Sequence, residues 1–141
     1  MPKNITKTKL KTVLGYKVCL ENNGNLYSMS TGIEYKIGQI KAVTNIPLTH
    51  QVGRQKMVNP KNFMNKYYTD KMKGLTCVFV NYDDAENYRQ YVAKRGVQLA
   101  MVASFTLHGC IYKAKSDDGE DLYMGNKIQN IQYNSIFVRT Y

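Results

Sequence analysis

Two histidines, three cysteines and four arginines are the side chains of this chain best suited to react with a ligand or to fix one. His108 and Cys110 fall on one face of an alternating segment, the arrangement a thiol–imidazole nucleophile requires. A strand-face histidine beside a core cysteine explains the same spacing without chemistry, and that reading is adopted. His50 is isolated. Cys19, Cys77 and Cys110 are far apart, lack metal-ligand spacing and lie in apolar runs, as reduced buried thiols do. Asp117, Asp118, Glu120 and Asp121 surround Gly119 in hairpin-turn order rather than in the twelve-residue spacing of a calcium loop. Gly-x-Gly and Gly-Lys-Ser/Thr phosphate loops do not occur. The expectation is a binding protein, not an enzyme, with no cofactor and no metal.

Charge points to what is bound. The chain has 20 Lys and Arg against 10 Asp and Glu, a net +10 in 141 residues, with 12 Tyr and four Phe. Cations beside aromatic faces suit phosphates and bases. Arginine is scarce against lysine, so a retained arginine marks planar, bidentate contact with an anion. Arg139 lies in the terminal apolar stretch and Arg54 in a basic loop, whereas Arg89 and Arg95 read as helix surface charges. Arg139 and Arg54, with Phe105 and Tyr27 as aromatics, are the candidate ligand-binding residues. No apolar run approaches the ~20 residues of a membrane span. Residues 1–11 lack a signal peptide's apolar stretch, so the cytoplasm is expected.

These groups need a scaffold, and the period-2 pattern supplies one. Residues 1–11 read as a flexible basic arm and 12–141 as a single domain. Val13–Leu20, Leu26–Ser30 and Ile33–Ile40 form a meander, turned at Asn22–Asn25 and at Thr31–Gly32. Residues 41–73 lose periodicity and hold seven cations and one acid, a basic loop excursion in which Pro60 opens a short helix. Leu75–Val80 is a buried strand. A helix follows over about 82–95, capped by Asn81, with Asp83, Asp84 and Glu86 in its first turn and Gly96 as its stop. Val97–Ala114 is one long strand bent at Gly109, and Lys127–Tyr141 is the last. The fold class is α+β: an antiparallel sheet, meander plus long C-terminal strands, packed on one main helix.

Gly15-Tyr16-Lys17-Val18, Tyr27-Ser28, Tyr35-Lys36-Ile37-Gly38 and Val78-Phe79-Val80 running into Asp84-Ala85 resemble a pattern of small phage and prophage proteins, over roughly residues 15–112. Within that group the chain is similar to the anti-Thoeris sponges. Those phage anti-defence proteins sequester a cyclic ADP-ribose isomer, made by bacterial TIR-domain enzymes, without cleaving it. The resemblance implies a homo-oligomer in the cytoplasm of an infected bacterium. It also implies pockets shared between protomers, aromatic and Asn contacts to adenine, and Arg contacts to phosphates. A basic nucleic-acid-binding protein, holding duplex weakly and without sequence preference, is the alternative suited to the arm and the excursion. A small phage inhibitor of a host protein is a further alternative.

Overall fold

Among the described residues, alternating apolar positions build a sheet and a helix covers one side of it. The computed structural model describes residues 3–29, 34–42, 51–52, 55–56, 75–116 and 118–131. In chain order the elements are β1 (Lys3–Lys7), β2 (Thr12–Asn22), β3 (Asn25–Ser28), β4 (Glu34–Tyr35), β5 (Ile40–Ala42), β6 (Gln51–Val52), β7 (Gln55–Lys56), β8 (Thr76–Phe79), α1 (Tyr82–Ala93), β9 (Ala100–Lys115) and β10 (Asp121–Asn130). The architecture is α+β, a largely antiparallel sheet with a single helix among the described residues.

The main sheet runs β1-β9-β10-β8-β2-β3-β4, with β5 on β10, while β6 and β7 form a separate two-residue hairpin. The long strand β9 is its axis. β2 lies along its first half, from Leu20 opposite Ala100 to Thr12 opposite His108. β10 lies along the other edge, from Asn130 opposite Phe105 to Asp121 opposite Lys115. The ladder closes on itself, because β8 pairs both with β10 and, through Phe79 opposite Tyr16, with β2. The chain after β4 also returns to β10, at Ile37 beside Asn130 and through β5.

Alternation sorts the two faces of this curled sheet. Val18, Leu20, Val102, Phe79, Leu122 and Met124 meet the Ala85, Tyr88 and Val92 face of α1. The residues between them in sequence, among them Cys19, Val78 and Ala103, share the opposite face with Phe105, Leu107, Ile111 and Ile128. Curvature brings Tyr35 of β4 edge-on to Phe105 of β9, ring centroids 5.0 Å apart, although β2 and β3 separate their strands. Gly15 permits the close approach of β8: a Cβ there would overlap the Val78 side chain and stand 3.0 Å from the Phe79 carbonyl oxygen.

The helix starts and stops as its sequence directs, with one difference. Asn81 is extended at the N-cap position, but its side chain makes no capping bond and its Nδ2 donates instead to Asp84 Oδ2 at 3.5 Å. Gly96, at φ +99°, reverses the chain so that Val97 N donates to the Val92 carbonyl at 3.1 Å. The Asn22–Asn25 turn also forms as expected, with positive φ at Asn23 and Gly24.

Three expectations change. The segment read as a flexible arm contains β1, antiparallel to β9, and Thr8 N donates to the Ile111 carbonyl at 2.8 Å just beyond it. The long strand β9 outlasts β2, and β1 takes up the edge left open. The strand expected at Ile33–Ile40 is divided, because Gly38, at φ +76°, bonds Asn130 and redirects the chain from β3 to β10. The last described strand begins at Asp121, not Lys127. The rest of the basic excursion, including the helix expected at Pro60, and residues 132–141 lie outside the described residues.

Candidate functional site

Among the described residues β1 is paired on one side only, and its open edge carries lysine. β1 is an end strand and all five of its residues are exposed. Lys3 pairs with Lys115 and Thr6 with Lys113, with an irregularity between that twists the strand, and Asn4 has φ +57° there. Lys9 and Lys11 follow in the bend to β2, which the Gly109 N–H holds by donating to the Lys11 carbonyl at 3.2 Å. Lys127 stands opposite His108, which in turn stands opposite Thr12. Lys3, Lys7, Lys9, Lys11, Lys113 and Lys127 are all exposed, and among the described residues none has an acidic partner. Lys115 differs: its Nζ bonds Asp121 Oδ1 at 2.9 Å.

His108 is held in place rather than poised. Its Nε2 lies 2.9 Å from Thr106 Oγ1 and 3.0 Å from Gln129 Oε1, and its Nδ1 lies 3.3 Å from Thr12 Oγ1. Gln129 settles the tautomer. Its Nε2 donates to the Gly38 carbonyl at 2.7 Å, so Oε1 faces the ring and Nε2 of His108 carries the hydrogen. Cys110, expected in the core, is instead exposed beside Gly109, because the bulge sets these two residues against Asn126 alone.

A second concentration of polar chemistry is internal. Lys17 is only 8 % exposed, and its Nζ donates to Thr76 Oγ1 at 3.0 Å and to the Cys77 carbonyl at 3.2 Å. Burial pushes the thiols of Cys19 and Cys77 up to about 12, against the opposing pull of the Lys17 charge. Burial likewise raises the phenols of Tyr35 and Tyr88. These groups are neutral near pH 7 and poor nucleophiles.

The helix cations are engaged locally. Arg89 Nε donates to both carboxylate oxygens of Glu86 at 2.9 Å, which holds the Glu86 carboxyl below its ordinary range. Arg95 lies 3.6 Å from the centre of the Tyr91 ring and donates to the Tyr91 carbonyl. The acidic turn is a hairpin: Ser116 N donates to the Glu120 carbonyl and Ser116 Oγ to Glu120 Oε1, both at 2.9 Å.

The four expected ligand residues are not brought together among the described residues. Phe105 is fully buried and serves the core. Tyr27 is half-buried on the other face, opposite Leu20 and beside the helix-side cluster. Arg54 and Arg139 lie outside the described residues. Sequence reading missed the lysine edge as a structure and the partners of His108. The alternation of Lys7, Lys9 and Lys11 was a visible signal for the edge, whereas the pairing of β1 with Lys113 and Lys115 was not. Among the described residues no helix is long and apolar enough to cross a membrane. Comparison with known proteins gave no match: no family model fits the chain, and no curated protein or solved structure is similar to it.

Proposed function

We propose that the protein binds and sequesters a phosphate-bearing ligand of nucleotide chemistry without altering it. The observation that supports this is the set of exposed lysines along β1 and the following bend, without acidic partners among the described residues. A cation already in water gives up little when it meets a phosphate, and a charge-assisted contact contributes roughly 1.5–3 kcal/mol. The fixed, neutral-partnered His108 and the raised thiols of Cys19 and Cys77 favour binding over nucleophilic chemistry.

In its sponge form this reading gives a phage anti-defence protein of the bacterial cytoplasm. It would hold a cyclic ADP-ribose isomer between protomers of a homo-oligomer, with Arg139 and Arg54 on the phosphates and Tyr27 among the aromatics. Calorimetry and native mass spectrometry with cyclic ADP-ribose isomers and cyclic oligonucleotides test it. The expected result is saturable binding with the ligand recovered at its starting mass. Arg139→Ala should bind about 10- to 100-fold more weakly, the loss of one charge-assisted contact. Absence of binding by the unmodified protein removes the sponge form. Ligand recovered with a changed mass makes the protein an enzyme, and His108 is then the first residue to replace.

A further inference from the structure

We infer that the free edge of β1, with the bend that follows it, is a docking surface for the phosphate backbone of nucleic acid. The inference rests on the anion-capture reading above and names a partner for it. The arrangement of the cations carries the argument. Lys3 and Lys7 lie on the end strand, and Lys9 and Lys11 continue at every second residue through the bend. Lys113, on the strand behind, pairs with Thr6. Lys127 extends the surface across the sheet from Thr12 through His108. By this register Lys7, opposite Tyr112, and Lys113, opposite Thr6, lie on opposite faces, so the cations flank the edge along its length instead of converging on one point. Cations spread along an edge can follow the successive phosphates of an extended polyanion.

The acids are placed consistently with this. Asp118, Glu120 and Asp121 sit at the hairpin between β9 and β10, beyond Lys115, and Asp121 is bonded to Lys115. The positive surface therefore strengthens away from that hairpin, toward Lys7, Lys9, Lys11 and Lys127. Edge lysines also prevent a sheet from pairing with another chain. That role accounts for Lys3 and Lys7 but not for Lys9, Lys11 and Lys127, which lie outside the end strand. The surface offers lysines alone, without arginine or a groove-reading element, so it should grip phosphates without reading sequence.

Fluorescence anisotropy with a short labelled duplex of random sequence, from about 50 to 200 mM salt, tests the inference through counterion release. Five or six phosphate contacts give a plot of log affinity against log salt with a slope of about −4.5 to −5.5. The triple variant Lys7→Gln, Lys9→Gln, Lys11→Gln should flatten that slope by about 3. Lys94→Gln, after the helix, should leave it unchanged, and melting curves for both variants should match the parent. Duplex binding with an unaltered slope in the triple variant overturns the edge as the site but leaves anion capture standing. Binding of a cyclic nucleotide with no duplex binding at the lowest salt refutes the inference alone. Binding of neither refutes both.

Discussion

Lys3 of β1 stands directly opposite Lys115 of β9, so two lysines occupy one cross-strand pair of an antiparallel ladder. Such like-charge pairs oppose strand association, whereas opposite charges there contribute roughly 0.2–1 kcal/mol. Asp121 on the next strand neutralises Lys115 but is two strands from Lys3. Lys3→Glu should therefore raise stability by up to about 1 kcal/mol in urea denaturation, with the gain shrinking as salt screens it. The same variant should bind duplex more weakly than the parent. A gain in stability with unchanged duplex binding would show that Lys3 merely guards the edge.

Gly15 sits against β8, next to the pair of Tyr16 with Phe79. A methyl group there would overlap Val78 Cγ2 and come within 2.8 Å of Val78 Cβ. Gly15→Ala should cost about 1–3 kcal/mol, the usual range for overpacking. Adding Val78→Ala should recover part of that loss, a coupling that a double-mutant cycle reads directly. Strict additivity of the two changes would mean that β8 moves away at no cost.

How far the sequence showed this fold depends on whether a feature is local. Alternation in Tyr16, Val18 and Leu20, the Asn23-Gly24 turn, the acidic first turn of α1 and Gly96 each act within a few residues, and each appears where expected. Pairings between distant segments were not legible. Nothing near Lys3 reports that β9 extends beyond β2 and leaves an edge to be filled. Nothing near Gly38 reports that Asn130 waits to accept its N–H. The site suffered for the same reason. Phe105 looked like an available aromatic because its alternation resembles that of any strand, whereas the folded sheet packs it into one cluster with Val13, Leu107, Ile128 and Tyr35.

Phe105 separates scaffold from binding. It is fully buried and meets Tyr35 edge-on. Phe105→Ala should destabilise the protein by about 3–5 kcal/mol through lost burial and the cavity left behind. Phe105→Leu, a smaller change, should lower the melting temperature yet leave affinity for duplex or nucleotide unaltered. A tenfold loss of affinity in a folded Phe105→Leu protein would return this residue to the ligand site.

Glu86 and Arg89 give a pH dependence at the acid end. The guanidinium holds the Glu86 carboxyl below its ordinary range in the folded protein. Its stabilising contribution is thus present above the unfolded carboxyl's pKa and is lost as pH falls through the lower, folded one. The pair is partly solvated, so Arg89→Ala should cost less than about 1 kcal/mol at neutral pH. That difference should vanish in acid, where both proteins carry a neutral Glu86. A difference persisting there would assign the effect to the packing of the arginine stem.

The thiols set the opposite limit. Burial raises Cys19 and Cys77 from the ordinary 9.0 to about 12, so both stay protonated in the fold at pH values where the unfolded chain ionises them. Their contribution is complete below about 9, the unfolded value, and is lost as pH rises through the window up to about 12. Urea midpoints should fall as pH is raised past that lower bound, and Cys19→Ala should make the fall shallower. Alkylation at neutral pH reports the same environments independently. Exposed Cys110 should be modified in the native state, while Cys19 reacts only after unfolding. Rapid native labelling of Cys19 would mean that the sheet opens around Lys17, and Cys19→Ala should then leave the alkaline fall in stability unchanged.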